Sequence, residues 1–167
     1  NETSDNPGGG TPCDGTHLLR AFLARNLPGT ILGHIVDPES VEVCHRAGVG
    51  ATVYLTVGGK TDTFHGAPLD VKGAEVMNLS NGQVVFASPM RKGKPFSFGR
   101  AARVRAGNVE FVLVTHRHQT LDDRAFLMTG ADIDEYKIIG IKSSNHFRGF
   151  FQPRADVIVT ADPPGLH

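Results

Sequence analysis

The residue types that can do chemistry in this chain are concentrated in a few short segments. Residues 137–151 read KIIGIKSSNHFRGFF. An apolar strand ends in Lys142, Ser143 and Ser144, and Asn145 then opens a turn of helix carrying His146 and Arg148. Serines at a helix start, backed by a lysine, an imidazole and a guanidinium, make a donor-rich site for a carboxylate or a developing oxyanion. Serine near histidine and lysine also admits a nucleophile, although no glycines flank these serines as in a Gly-x-Ser-x-Gly elbow. The plainer alternative is that the serines cap the helix.

Residues 57–69, VGGKTDTFHGAPL, follow a strand and pack Lys60, Asp62 and His65 behind two glycines. Polar loops at strand ends are where ligands sit in sheets flanked by helices; a surface loop with a weak Lys60 to Asp62 pair is the alternative. Residues 109–122, VEFVLVTHRHQTLD, run a buried strand into His116 and His118. A spacing of two puts both imidazoles on one face of an extended chain, enough for two ligands of a zinc ion, with His65 or Asp62 as the third. Polar strand edges are the commoner reason for such a pair, and that reading is preferred.

Residues 5–21, DNPGGGTPCDGTHLLRA, form a glycine-rich run entering an amphipathic helix. Gly8, Gly9 and Gly10 can take positive φ and leave amides uncovered, Pro7 and Pro12 stiffen the flanks, and Asp14 or Thr16 can cap the helix bearing Leu18, Leu19, Phe22 and Leu23. Amides converging at a helix start favour an anionic group. The run is neither a Walker A loop nor a dinucleotide fingerprint, because no Gly-Lys-Ser/Thr closes it and no apolar strand precedes it.

These segments need a scaffold. Thr30 to Val36 reads as a strand, and a helix follows with Asp37 as cap, Pro38 at its first position, Val41, Cys44 and Ala47 on one face, and Gly48 at its end. The pattern then changes to period two. Residues 52–57, 71–77, 83–87, 100–106 and 109–115 read as strands, with Asn81-Gly82 and Gly107-Asn108 as hairpin turns. A short helix over 122–128 and two apolar strands over 137–142 and 157–160, buried on both faces, complete the chain. Helices around a hairpin-rich middle predict an α/β domain: a mixed sheet with helices packed on it, one domain over residues 1–167.

The 167 residues, 40% of them hydrophobic, suffice for one core. Lys plus Arg equals Asp plus Glu at 17 each, so no net field points to nucleic acid or an anionic membrane surface. Two cysteines, Cys13 and Cys44, are too few for a disulfide framework, and no run approaches the roughly 20 apolar residues a membrane span needs, so a soluble, cytoplasmic protein is expected. Both ends read as cut, the expectation being a piece of something longer.

The segments DNPGGGTPCDGTHLLRA, VGGKTDTFHGAPL and KIIGIKSSNHFRGFF, with FGRAARVRAGNVEFVLVTHRHQ between them, resemble in collinear order the C-terminal region of the microcystinase C (MlrC) family of zinc metallopeptidases. The resemblance runs from Asp5 to the residues before Pro163. It implies a substrate-cleft domain of an enzyme that hydrolyses peptide or amide bonds of small peptides. The partners it implies are such a substrate and an N-terminal metal-binding domain of the same polypeptide. Zinc would be held by that N-terminal region and not by this chain, which alone would be inactive. The residues it marks for substrate binding are Asp5, Asn6, Gly8, Gly9, Gly10, Lys60, Asp62, His65, Lys142, Ser143, Ser144, His146 and Arg148. The lysines, His146 and Arg148 suit a peptide carboxylate. A different function, a non-catalytic anion or carboxylate module built on the glycine loop, stands beside it. One departure is Cys13, where a small residue, usually glycine, is expected after Thr-Pro; a left-handed backbone there would be distorted by a side chain.

Overall fold

The computed structural model describes residues 1–166. Its centre is a six-stranded mixed sheet with the order β2-β3-β6-β7-β1-β8. The strands are β1 (Thr30–Val36), β2 (Thr52–Val57), β3 (Leu69–Ser80), β6 (Ala101–Ala106), β7 (Val109–Val114) and β8 (Ile138–Ile141). A separate two-stranded hairpin joins β4 (Gln83–Val85) to β5 (Pro95–Ser97). The helices are α1 (His17–Arg25), α2 (Pro38–Ala47), α3 (Arg124–Leu127) and α4 (Arg148–Phe151). The expected mixed α/β class is therefore observed. None of the helices is long and apolar enough to cross a membrane.

Period-two alternation, reset in β1 by a bulge at His34, explains the two cores. Leu32 and Ile35 of β1, with Val109, Phe111 and Leu113 of β7, face one side, where Leu19 of α1 and Val41 and Cys44 of α2 cover them. Ile31, Val112 and Val114 face the other side and pack with Phe98, Phe126, Phe147, Phe150 and Phe151. Strands β7, β1 and β8 run parallel, so their C-terminal ends lie at one edge of the sheet. Strands β2, β3, β6 and β7 form the antiparallel part. The Gly107-Asn108 turn closes β6 onto β7, as its two-residue length demands.

Three expectations are corrected. Asn81-Gly82 does not close a hairpin, because β3 pairs with β2 and β6 while β4 leaves the sheet to pair with β5. Residues 157–160 form no strand: Val157 and Val159 are 76% and 69% exposed, and the main chain there only meets the N-terminal residues, through Asn1 N to Val159 O and a single Glu2 to Ala161 bridge. Their β-branched composition is real, but among the described residues no strand pairs with it along its length. The cap assignment at α1 also fails. Thr16 stands at the N-cap position, yet its hydroxyl donates to the Ala67 carbonyl at 2.7 Å, while the Asp14 carboxylate accepts from residues 60 and 61.

Val157→Ser should leave unfolding free energy within about 0.5 kcal/mol of the parent, whereas Leu32→Ala should cost about 2–5 kcal/mol, both read from urea unfolding.

Candidate functional site

The glycine-rich loop folds around an anion of its own. Lys142, the residue after β8, is fully buried, and its Nζ lies 2.8 Å from Glu2 Oε2 and 3.0 Å from Asp5 Oδ2. The two Asp5 oxygens also accept the amides of Cys13 (2.8 Å) and Gly15 (2.7 Å). A Cβ on Gly15 would stand 2.7 Å from Asp5 Oδ2, so this close approach requires glycine. Cys13 takes the left-handed backbone (φ 66) that the sequence marks as unfavourable for it. It is tolerated because its amide serves Asp5, its carbonyl accepts from Val36 N at 2.9 Å, and its side chain is buried in contact with the His34 carbonyl. Burial drives the Asp5 carboxyl up; the charge of Lys142 and the two amides outweigh it and hold the group below its ordinary 3.8. Burial likewise depresses Lys142, and Glu2 and Asp5 outweigh that, leaving the ammonium above 10.5.

Gly8, Gly9 and Gly10 do not present free amides. Gly8 N donates to Asn6 Oδ1, Gly9 N to Asn6 O and Gly10 N to Pro7 O, and of the three only Gly10 has positive φ. Gly8 instead permits packing: a Cβ there would lie 2.7 Å from the Gln119 amide.

The Lys60 segment braces this loop from behind. Lys60 Nζ pairs with Asp37 at 2.8 Å and Glu39 at 2.9 Å, not with Asp62. Asp37 is buried and caps α2 through Ser40 N while accepting Gly58 N. Asp14 Oδ2 collects the amides of Lys60 and Thr61 and the Thr61 hydroxyl. Asp62 accepts His65 Nδ1 at 2.8 Å, and the buried His65 ring sets Nε2 against the Ser4 carbonyl at 3.1 Å. All three residues thus tie main-chain segments together.

At the surface, Gln119 joins what the sequence separates. Its Nε2 donates to Asn6 Oδ1 (3.1 Å) and Ser143 Oγ (3.0 Å), and its Oε1 faces His146 Nδ1 (3.1 Å). Asn6 Nδ2 completes the network on Ser144 Oγ at 2.9 Å. Ser144 and His146 are exposed, Asn6 is half-buried, and Gln119 and Ser143 are buried. Neither serine caps a helix, because α4 starts only at Arg148. Arg148 lays its guanidinium over the Phe147 ring. Arg117 Nη1 clips the far side of the loop, donating to Gly10 O and Thr11 O. The sequence does not single out Gln119; its one signal is a polar residue just beyond the end of β7. The ammonium of Lys142 and Nδ1 of His146 are held by other groups and bond to neither serine hydroxyl, so the geometry favours binding over a serine nucleophile.

The two histidines of the His-x-His segment diverge. His116 Nδ1 faces Ser97 O at 3.3 Å. His118 Nδ1 donates to Gln119 O, its Nε2 accepts from Arg91, and its ring lies among Phe86, Phe96 and Phe98. Beneath it, His34 Nε2 donates to His118 O at 2.8 Å, pinning the Gln119 segment to β1. Burial lowers His34 to about 4. Among the described residues no group of three or more His, Cys, Asp or Glu side chains could hold a metal ion. The described residues therefore bring together no zinc ligand set.

The fold is a mixed α/β domain, and the amide, hydroxyl and imidazole network lies beyond the C-terminal ends of its parallel strands. The chain belongs to the MlrC family: the model for the MlrC C-terminus matches residues 1–167. Microcystinase C from Sphingomonas sp. is 31% identical over 161 residues, which is 96% of this chain and 31% of that protein. The chain thus spans about a third of the length of that relative. A crystal structure from Mesorhizobium sp. BNC1, named "Putative metallopeptidase", matches with a TM-score of 0.85 at 23% identity, over 99% of this chain and 32% of the other. At that identity it shows the fold.

Lys142→Met strands two buried carboxylates and should cost about 3–5 kcal/mol in urea unfolding at neutral pH. The pH dependence has a definite sign. Asp5 titrates lower folded than unfolded, so its contribution is complete above pH 3.8 and is lost as pH falls through the folded value; Lys142 titrates higher, so its contribution is complete below pH 10.5 and is lost in stronger alkali. His34 titrates at about 4 rather than 6.5, so unfolding free energy should already decline between pH 6.5 and 4, and His34→Gln should flatten that part of the curve.

Proposed function

We propose that this domain forms the substrate-side wall of a peptidase cleft within a longer MlrC-type polypeptide, with the Gln119 network as its contact surface. The observation that carries the reading is the convergence of Asn6, Gln119, Ser143, Ser144 and His146 from three distant segments into one surface network. Amide and hydroxyl groups that both donate and accept match a peptide main chain, which offers one donor and one acceptor per residue. The buried ion triad beneath the network fixes Asn6 and Ser143, so the surface is formed before a ligand arrives. A zinc ion, which the family resemblance implies, would be bound by the rest of the polypeptide. The residues named here supply positioning.

An anion module built on the glycine loop has less support, because the amides of Gly8, Gly9 and Gly10 already have partners and those of Cys13 and Gly15 are taken by Asp5. Asp5, Lys60, Asp62, His65 and Lys142 act in this reading by holding segments in place rather than by touching substrate. Ser144 and His146 are the exposed members.

In the family-length enzyme, Ser144→Ala and His146→Ala should each raise KM for a short peptide about tenfold, with a smaller effect on kcat and an unchanged melting temperature. Unaltered KM in both variants would remove the network from the substrate path.

A further inference from the structure

A concavity with a volume of about 890 Å³ lies apart from the Gln119 network, between the β4–β5 hairpin and helices α3 and α4. Its wall is apolar where Val85, Met128 and Phe150 line it, and Lys92, Arg124 and Arg154 bring cationic groups to the same groove. Val85 is 57% exposed, a large apolar surface for a residue in a strand. Among the described residues, no carboxylate lines the groove. Two acids adjoin it: Asp122 Oδ2 accepts the amides of Ala87 and Ser88 at 2.7 Å, and Asp123 Oδ1 stands 3.5 Å from Arg124 Nε. Arg154 is better fixed: its guanidinium lies 4.0 Å from the centroid of the Phe150 ring, and Nη1 donates to Phe150 O at 2.7 Å. Lys92 extends from the Arg91-Lys92-Gly93-Lys94 turn and has no ion pair among the described residues.

Two facts narrow the ligand. Cations outnumber acids around the groove, and a guanidinium fork matches a planar carboxylate with two parallel bonds. The wall between them is apolar, which a small hydrated inorganic anion would not use. We propose that this groove binds the carboxylate of a short apolar peptide, with Arg124 and Arg154 on the carboxylate and Val85 and Met128 against the side chains. The site is separate from the Gln119 network and does not depend on its role. A peptide held here would be anchored by one end.

The test is a ¹⁵N-resolved NMR titration of the 167-residue chain at low salt with N-acetyl-Leu-Phe as the free acid, with its C-terminal amide, with N-acetyl-Glu-Phe amide and with inorganic phosphate. The acid should shift the amides of Val85, Gly93 and Gly149 in a saturable way. Loss of the carboxylate, or Arg124→Gln or Lys92→Gln in the protein, should weaken binding about tenfold. Binding by the glutamyl amide would show that a side-chain carboxylate serves as well as a terminal one; its failure would restrict the site to chain ends, and both results keep the groove as a carboxylate site. Equal binding of acid and amide, phosphate binding as tight as the peptide acid, shifts confined to other surfaces, or no shifts at concentrations on the order of 1 mM would each overturn the proposal. Lys92 is exposed and Arg124 half-buried, and an otherwise unchanged spectrum verifies the fold of each variant.

Discussion

An ammonium without access to water sets the conditions for much of this domain. Removing a lysine from solvent costs several kcal/mol unless counter-charges and hydrogen bonds replace the water it loses. Lys142 obtains them from Glu2 and Asp5, both buried, so the N-terminal residues must run alongside the end of β8. They do so through main-chain bonds from Glu2 N to Ile141 O and from Ser143 N to Glu2 O. Asp5 in turn needs donors for its own oxygens, and the chain curls to deliver the amides of Cys13 and Gly15. Each requirement generates the next. Asn6 follows Asp5 in the chain and Ser143 follows Lys142, so fixing the ion pair also fixes the polar groups that meet at the surface.

The sheet supplies the platform for this arrangement. Because β7, β1 and β8 are parallel, the segments after Val114 and Ile141 leave from the same edge, and Gln119 and Ser143 meet there. His34, on β1 between them, holds the Gln119 segment by its main chain. The Lys60, Asp62 and His65 loop acts on the other side of the glycine run through Asp37, Asp14 and Ser4. The network is therefore braced from two directions.

Periodicity makes the layers legible in the sequence. The alternation in β7 and the punctuation of α2 by Asp37, Pro38 and Gly48 appear where the spacing puts them. Composition misled at residues 157–160, where valines without a pairing partner do not make a strand. The segments marked in the sequence meet in the fold, but the charges assigned there to a ligand are paired with protein carboxylates. Lys142 and Lys60 look available in one dimension, because their acidic partners are distant in sequence; Glu2 is separated from Lys142 by 140 residues. Gln119 had no such mark, since an amide side chain carries no titration or metal-binding signature. Similarity, by contrast, covers the whole chain and supplies the family directly.

The central claim is that the ion triad makes the glycine-rich loop part of the rigid core, and native-state hydrogen exchange of the Cys13 and Gly15 amides tests it most directly. Both are bonded to the buried Asp5 carboxylate. If the loop opens only with the fold, their exchange free energies will equal those of Val112 and Leu113 in β7 and will fall in step with them as urea is added. Exchange several kcal/mol easier than in β7 and insensitive to urea would show a loop that opens locally. The surface network would then not be preformed.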